Sequence, residues 1–312
     1  SSSSRLICGQ SEKLTEAENY LANHFSFPKA LLFPSGYHAN LALISAFSHR
    51  SVAFYYDELV HASIHDAMRM GQGTRFAFKH NDTQDLDKLL SENAAQFDNN
   101  IIVTEGMFSM DGDCCKWYKS IEVAQKYEAK IIIDEAHSAG ILGEEFKGMA
   151  KANSNVLAKV VTFGKAYACE GGAILCNEKT AQFLVNYSRP LIYSTAPSPL
   201  LCQAILDQVS REEDIQKGNE KLYALCNYFK EKFTNYLPKD QFENFTIDGP
   251  IFPLLFDTEK LKSIEQRCQD KNLAVKAIFF PTVAKGQERL RICLHSYNTE
   301  VEVDLLFDLI ND

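Results

Sequence analysis

Five short stretches of the chain combine residue types that could do chemistry. Thr162-Phe163-Gly164-Lys165 closes an apolar run and puts a lysine just past a strand end, the edge where open α/β sheets bind ligands. An amine placed there can attack a carbonyl or take up a proton, and the plain alternative is a solvated loop lysine. Asp134-Glu135-Ala136-His137 follows the apolar run 131–133 in the same way. Asp134 could be a buried counter-ion, with His137 three residues on facing the same ligand. The same four letters spell the Mg²⁺-binding box of a helicase-type ATPase, but that reading needs a GxxxxGK[ST] phosphate loop, which the chain lacks. Ser35-Gly36-Tyr37, between a strand and a helix, could cradle a phosphate on backbone N–H groups, or the glycine could only make the turn. His61 and His65 stand at i and i+4, a metal-binding spacing with no third ligand nearby in sequence. Arg289 and Arg291 alternate onto one side of a late strand. A guanidinium fork suits a carboxylate, although two edge-strand charges would read the same.

Those residues need a frame. From residue 30 to 176 the chain alternates β-rich runs (31–33, 52–56, 75–79, 101–103, 131–133, 160–163, 172–176) with amphipathic stretches (39–47, 58–70, 85–96, 120–127). Such alternation predicts an α/β fold with a mainly parallel sheet covered by helices. After Pro199 the pattern changes to one long helical stretch over 200–236, with Gly218 as its weak point, and then a smaller α+β unit. In that unit 250–256, 274–279 and 289–294 read as strands, and 259–271 and 300–309 as helices. The expected division is a large domain over 1–199 and a connecting helix with a small domain over 200–312.

Composition narrows the function classes. With 312 residues, 46% of them hydrophobic, the chain can bury a sizeable core in two domains. A net charge of −9 with scattered Lys and Arg argues against a nucleic-acid or anionic-membrane surface. No apolar run approaches the roughly 20 residues of a membrane span, and no apolar signal core follows Ser1–Ser4. Nine cysteines, irregularly spaced and without a CxxC pair, point to a reducing cytoplasm.

Taken in order, SGYHAN, DELVHAS, TEGMFSMDGD, IIIDEAHSAG, VTFGKA, LIYSTAPSP and FFPTVAKGQERLRI resemble the α-oxoamine synthases, fold-type I enzymes of pyridoxal 5'-phosphate (PLP). The resemblance runs from about the tenth residue to the C-terminus and places the family's N-terminal segment before Ser1. It implies a fold-type I PLP-dependent transferase with a mainly parallel, seven-stranded type of sheet and a smaller α+β C-terminal domain. By that resemblance Lys165 carries PLP as a Schiff base, Asp134 pairs with the pyridine nitrogen, and His137 bonds the phenolic oxygen. His61 stacks on the ring and Ser109 lies beside it. Gly36, Tyr37 and Thr162 hold the cofactor, with Thr162 on the phosphate. Thr282 and Arg291 contact substrate, Arg291 through the amino-acid carboxylate, and Ser194 and Thr195 reach a phosphate across a homodimer. The partners implied are an amino acid and an acyl thioester, on CoA or a carrier protein. The segments HND (80–82), TEGMFSMDGD and LIYST lean toward the branch that condenses L-alanine with a pimeloyl thioester in biotin biosynthesis. Glycine C-acetyltransferases and 5-aminolevulinate synthases share the same core. A catalytically silent partner subunit would be expected to lack the lysine that stands at 165.

Overall fold

The computed structural model describes residues 3–236 and 248–311, so Ser1 and Ser2 of the serine tract lie outside the described residues. In chain order the elements are α1 (Glu12–His24), β1 (Lys29–Phe33), α2 (Gly36–Phe47), β2 (Val52–Asp57), α3 (Ala62–Arg69), β3 (Thr74–Phe78) and α4 (Thr83–Asn93). Next come β4 (Asn99–Glu105), α5 (Trp117–Lys126), β5 (Lys130–Asp134), β6 (Val156–Thr162), β7 (Gly172–Cys176), α6 (Glu178–Tyr187), α7 (Arg189–Ile192) and α8 (Pro199–Val209). The last are α9 (Glu212–Tyr236), β8 (Ile251–Leu255), α10 (Thr258–Asp270), β9 (Lys276–Ile278), β10 (Arg289–Cys293) and α11 (Glu300–Asn311). Two compact units result, one made of 1–107 with 115–212 and the other of 108–114 with 213–312.

The first unit is built on a seven-stranded sheet in the order β1-β7-β6-β5-β4-β2-β3. β2 to β6 pair in parallel, and β7 runs antiparallel to both β1 and β6. The strand interiors are near-continuous Ile, Val and Ala runs buried along most of their length, as a sheet covered on both faces requires. Ser35, Asp82, Asn177 and Ser198 cap the helices that follow, each accepting from a first-turn N–H.

The second unit carries a three-stranded antiparallel sheet, β8-β10-β9, with α9, α10 and α11. The Phe229 ring lies 4.3 Å from that of Phe252 and 5.0 Å from that of Phe307, and all three side chains are buried.

Three expectations change. The helix expected over 58–70 starts only at Ala62, because the His61 ring caps it by accepting from Ser63 N. The stretch over 200–236 is two helices, α8 and α9, broken at Ser210-Arg211. Ser210 turns its hydroxyl back to donate to the Asp207 carbonyl (3.3 Å), a local bond that competes with helix continuation. The division between units falls at 212/213 rather than 199/200, and the excursion 108–114 goes with the second unit.

Candidate active site

Parallel strands bring their carboxyl ends to one edge of the sheet, so side chains that end β4, β5 and β6 are neighbours there. Asp134 is the last residue of β5 and stands in register with Glu105, the last residue of β4. Both are buried. Asp134 Oδ1 accepts from Ala136 N (2.9 Å) and Oδ2 from the Asn40 amide (2.6 Å), which leaves carboxylate lone pairs for a further donor. Thr162 ends β6, and three residues on the exposed Lys165 Nζ lies 2.7 Å from His137 Nε2. Lys165 and His137, each placed by a strand end, are thus in direct contact.

The start of α2 meets the end of β6. A Cβ on Gly36 would lie 3.2 Å from the Thr162 Cβ, and one on Gly172 would lie 2.5 Å from Gly36 N. Only glycines let these backbones approach, which leaves a helix N-terminus next to a threonine. The Thr162 hydroxyl donates to the Gly171 carbonyl (3.0 Å). The Tyr37 hydroxyl donates to Asp66 Oδ2 (2.8 Å), so Tyr37 offers this edge its backbone.

His61 caps α3, and its backbone N–H donates to Glu105 Oε1. His65 is occupied differently: its ring sits edge-on to Tyr56 at 5.3 Å, and burial lowers its pKa. Among the described residues no group of three or more His, Cys, Asp or Glu could hold a metal ion.

Sequence reasoning missed four residues. Glu105 sits at a strand end as Asp134 does, and that position was its signal. Asn40 belongs to the SGYHAN stretch but was not singled out. Glu135, fully buried, accepts from Ser138 Oγ (2.7 Å), Met149 N (2.8 Å) and Ala150 N (2.7 Å). Its cation is the equally buried Lys159 of β6, 3.6 Å away, whose Nζ also donates to the carbonyls of Lys147 and Ala150. That pair ties the stretch 147–150 to the sheet beside His137. The HND segment is likewise structural: buried Asp57 takes the His80 ring (3.0 Å) and Asn81 N (2.8 Å), and Asp82 caps α4.

Glu105 has a consequence for stability. Burial, then the neighbouring Asp134 charge, push its carboxyl well above the usual carboxylate range, with Asp57 adding and the His61 N–H and Lys165 opposing. The folded chain therefore keeps a proton that the unfolded chain releases, so the associated stabilisation is present at acid pH and lost as pH rises through the folded pKa. Glu105→Gln should flatten that loss. Urea unfolding of the cofactor-free protein at about pH 5 and about pH 8 measures it, and identical pH dependence in the two proteins would remove the buried proton from the account.

In the second unit, Arg289 and Arg291 both reach the 109–111 segment. Arg289 is buried and committed: its Nη1 donates to Asp111 Oδ1 (2.6 Å) and the Met110 carbonyl (3.1 Å), and its Nε to the Gln287 carbonyl (3.0 Å). Arg291 is half-buried, and its Nε donates to the Ser109 carbonyl (2.6 Å). Thr282 is exposed in the turn before β10, its N–H donating to the Phe279 carbonyl (3.0 Å). Ser109, Thr282 and Arg291 thus belong to the second unit, whereas Gly36, Tyr37, His61, Asp134, His137, Thr162 and Lys165 belong to the first. Ser194, also in the first, donates to the Pro190 carbonyl (2.6 Å), and Thr195 bridges Ser4.

The two arginines should separate experimentally. If Arg291 grips the amino-acid carboxylate, as the resemblance implies, Arg291→Lys keeps the charge without the fork and should weaken amino-acid binding by about 1.5–3 kcal/mol. Arg289→Lys should instead lower the unfolding midpoint, since it disturbs a buried ion pair. Amino-acid titration followed by cofactor absorbance, beside a thermal melt, reads both. Equal loss of affinity in the two variants would misplace the carboxylate site.

A cavity of about 380 Å³ lies at the opposite ends of the strands, against Phe47, Val52, Asn99, Lys130 and Phe183, and none of Gly36, His61, Asp134, His137, Thr162 and Lys165 lines it. The donor set at the carboxyl edge fits PLP group by group. The open helix N-terminus with Thr162 suits a phosphate monoester, the buried carboxylate suits a protonated ring nitrogen, and the exposed amine suits an aldehyde.

A family model described as aminotransferase class I and II matches residues 1–310. The 8-amino-7-oxononanoate synthase of Photorhabdus laumondii subsp. laumondii is 34% identical over 308 residues, covering 98% of this chain and 79% of its own. The solved 8-amino-7-oxononanoate synthase from Francisella tularensis superposes with a TM-score of 0.84 at 27% identity, over 96% of this chain and 86% of that one. Serine palmitoyltransferase from S. paucimobilis, solved with a bound PLP–myriocin aldimine, gives a TM-score of 0.90 at 24% identity over 99% and 78%, a likeness of fold.

Proposed function

The chain belongs to the class I and II aminotransferase family, and from that premise we propose a PLP-dependent acyltransferase that condenses L-alanine with a pimeloyl thioester to give 8-amino-7-oxononanoate, carbon dioxide and the free thiol. The observation that carries the reading is the carboxyl edge of the sheet, where buried Asp134, the Lys165–His137 contact and the Gly36–Thr162 cradle converge, as this cofactor demands. The relatives' name gives the product, 8-amino-7-oxononanoate, whose carbon skeleton is that of L-alanine, less its carboxyl, joined to a pimeloyl chain. PLP, when bound, is the electron sink that stabilises negative charge at the amino acid's Cα. Every other task falls to the chain. Lys165 holds the cofactor and, once released by the amino acid, takes the Cα proton on Nζ. Asp134 keeps a proton on the ring nitrogen by charge pairing. His137 would bond the cofactor's phenolic oxygen, and His61 would cover its ring and exclude water. Gly36, Tyr37 and Thr162 would hold the cofactor's phosphate end, and Ser109 keeps the cofactor-binding role that the resemblance implies. Arg291 and Thr282 would contact the substrate, Arg291 through the amino-acid carboxylate.

We read the chain as a cytoplasmic homodimer. No helix among the described residues is long and apolar enough to cross a membrane. Exposed Ile7, Tyr193 and Leu200, each more than two-thirds accessible, favour a partner surface. The test is substrate choice by the cofactor-loaded protein. L-alanine should perturb cofactor absorbance more strongly than glycine or L-serine, and should support carbon dioxide release with pimeloyl-CoA or its carrier-protein thioester. A preference for glycine would move the assignment to a sister activity.

A further inference from the structure

Four side chains run in a line beneath the candidate site. The Asn40 amide nitrogen lies 2.6 Å from Asp134 Oδ2 and 3.0 Å from Ser63 Oγ, and Ser63 Oγ lies 2.8 Å from His61 Nδ1. Asn40, Ser63 and Asp134 are buried, so water does not scramble the line. Its direction follows from counting hydrogens. An ionised carboxylate only accepts, so the Asn40 side chain must turn NH₂ and not its oxygen toward Asp134. The cost of that orientation is visible, because Asn40 Oδ1 is buried without a hydrogen-bond partner. The second amide hydrogen then goes to Ser63 Oγ. The Ser63 hydroxyl keeps one hydrogen and one lone pair after accepting from Asn40, and it turns the hydrogen to His61 Nδ1 because the backbone N–H beside it can only donate there. The Ser63 backbone N–H, 3.2 Å from the same nitrogen, is a second donor there. Two donors converging on Nδ1 leave no room for a hydrogen on it.

We propose that Asn40 and Ser63 are positioning residues that transmit the negative charge of Asp134 to His61 as a choice of tautomer, holding the ring as the neutral Nε2–H form. The inference deepens the function proposed above and rests on its placing Asp134 and His61 at the cofactor. One consequence is a division of labour. With its hydrogen on Nε2, His61 faces a substrate as a hydrogen-bond donor to an acceptor oxygen and cannot serve as the base, which leaves the Cα proton to Lys165. Asn40→Ala and Ser63→Ala each break the line without touching cofactor or substrate groups.

The test uses ¹⁵N-histidine-labelled full-length chain without cofactor, at a pH where the imidazole is neutral, with the His61 signals assigned by their loss in His61→Gln. Two-bond ¹⁵N–¹H correlation should show a pyridine-type Nδ1 and a pyrrole-type Nε2. Ser63→Ala and Asn40→Ala should each raise the Nδ1–H population roughly two- to tenfold, the effect of one ordinary hydrogen bond. A circular-dichroism melt run alongside verifies that each variant is folded, and Ser63→Thr, which keeps the hydroxyl, should restore the wild-type pattern. A protonated Nδ1 in the wild-type chain overturns the proposal. So does a wild-type pattern that persists in both alanine variants, since the backbone N–H alone would then set the tautomer. Because the measurement needs neither PLP nor turnover, failure of the assigned activity is read separately, in the alanine assay.

Discussion

Lys165→Ala should abolish turnover while leaving the sheet intact. On the proposed mechanism the substitution removes the attachment point for PLP and the group that accepts the Cα proton, and proton transfer by a positioned side chain is alone worth about 10²–10⁴-fold in rate. Little stability is at stake, because Lys165 is exposed in the connection after β6. Borohydride reduction of the loaded wild-type protein, followed by peptide mapping, should place the label on Lys165, and the alanine variant should take none. Lys159 is the internal control. Burial lowers its pKa, but its amine is sealed among Glu135 and two carbonyls. A label on Lys159, or on any lysine but Lys165, would sink the assignment.

The second large effect is expected at Asp134. Asp134→Asn keeps the size of the side chain and leaves the Gly36–Thr162 end of the site unchanged, so PLP should still bind. What is lost, on the proposed mechanism, is the charge that would hold a proton on the ring nitrogen. Removing one partner of a buried charge pair costs about 3–5 kcal/mol. Expressed in the transition state, that is a rate loss of roughly 10²- to 10⁴-fold. The variant also disturbs its own support, because the Asn40 amide now meets an amide where it donated to a carboxylate. Cofactor absorbance together with the rate of carbon dioxide release measures both halves. Near-normal turnover with bound cofactor would remove Asp134 from the mechanism.

The frame of the site was legible because hydrophobic runs and their ends are local. Lys165 and Asp134 could be placed at strand ends from the sequence alone, and Arg291 could be paired with Arg289 by alternation. What lay beneath them could not. Asn40 meets Asp134 across 94 positions of chain, and Glu135 faces Lys159 across two strands, contacts that no periodicity encodes. Periodicity reports which side chains turn inward, not which groups they meet. The choice between Arg289 and Arg291 came from resemblance, whereas the structure supplies a physical reason: Arg289 is already neutralised by Asp111. The reversal of β7 had a readable sign that was passed over. Nine residues separate Thr162 from Gly172, fewer than the dozen or so a parallel crossover needs. The helix break at Ser210 had no comparable sign, since serine is tolerated inside helices and its bond to the Asp207 carbonyl shows only in the structure.

That reversed strand decides how Lys165 can move. Had β7 run parallel to β6, the lysine would sit on the first span of a long crossover, free to shift with whatever helix followed. Here the segment is a closed clip. Thr162 is laddered to Gly172, Phe163 N donates to the Gly171 carbonyl (3.0 Å), and Cys169 N donates back to the Phe163 carbonyl (2.8 Å). The Lys165 carbonyl itself is tied down by Ala168 N at 3.0 Å. The main chain on either side is thus moored to a central part of the sheet, and the travel available to the amine is that of its own methylene stem. An amine that must let go of a ligand and later recapture it needs a fixed pivot with a swinging arm, and a hairpin spliced into a parallel sheet provides one.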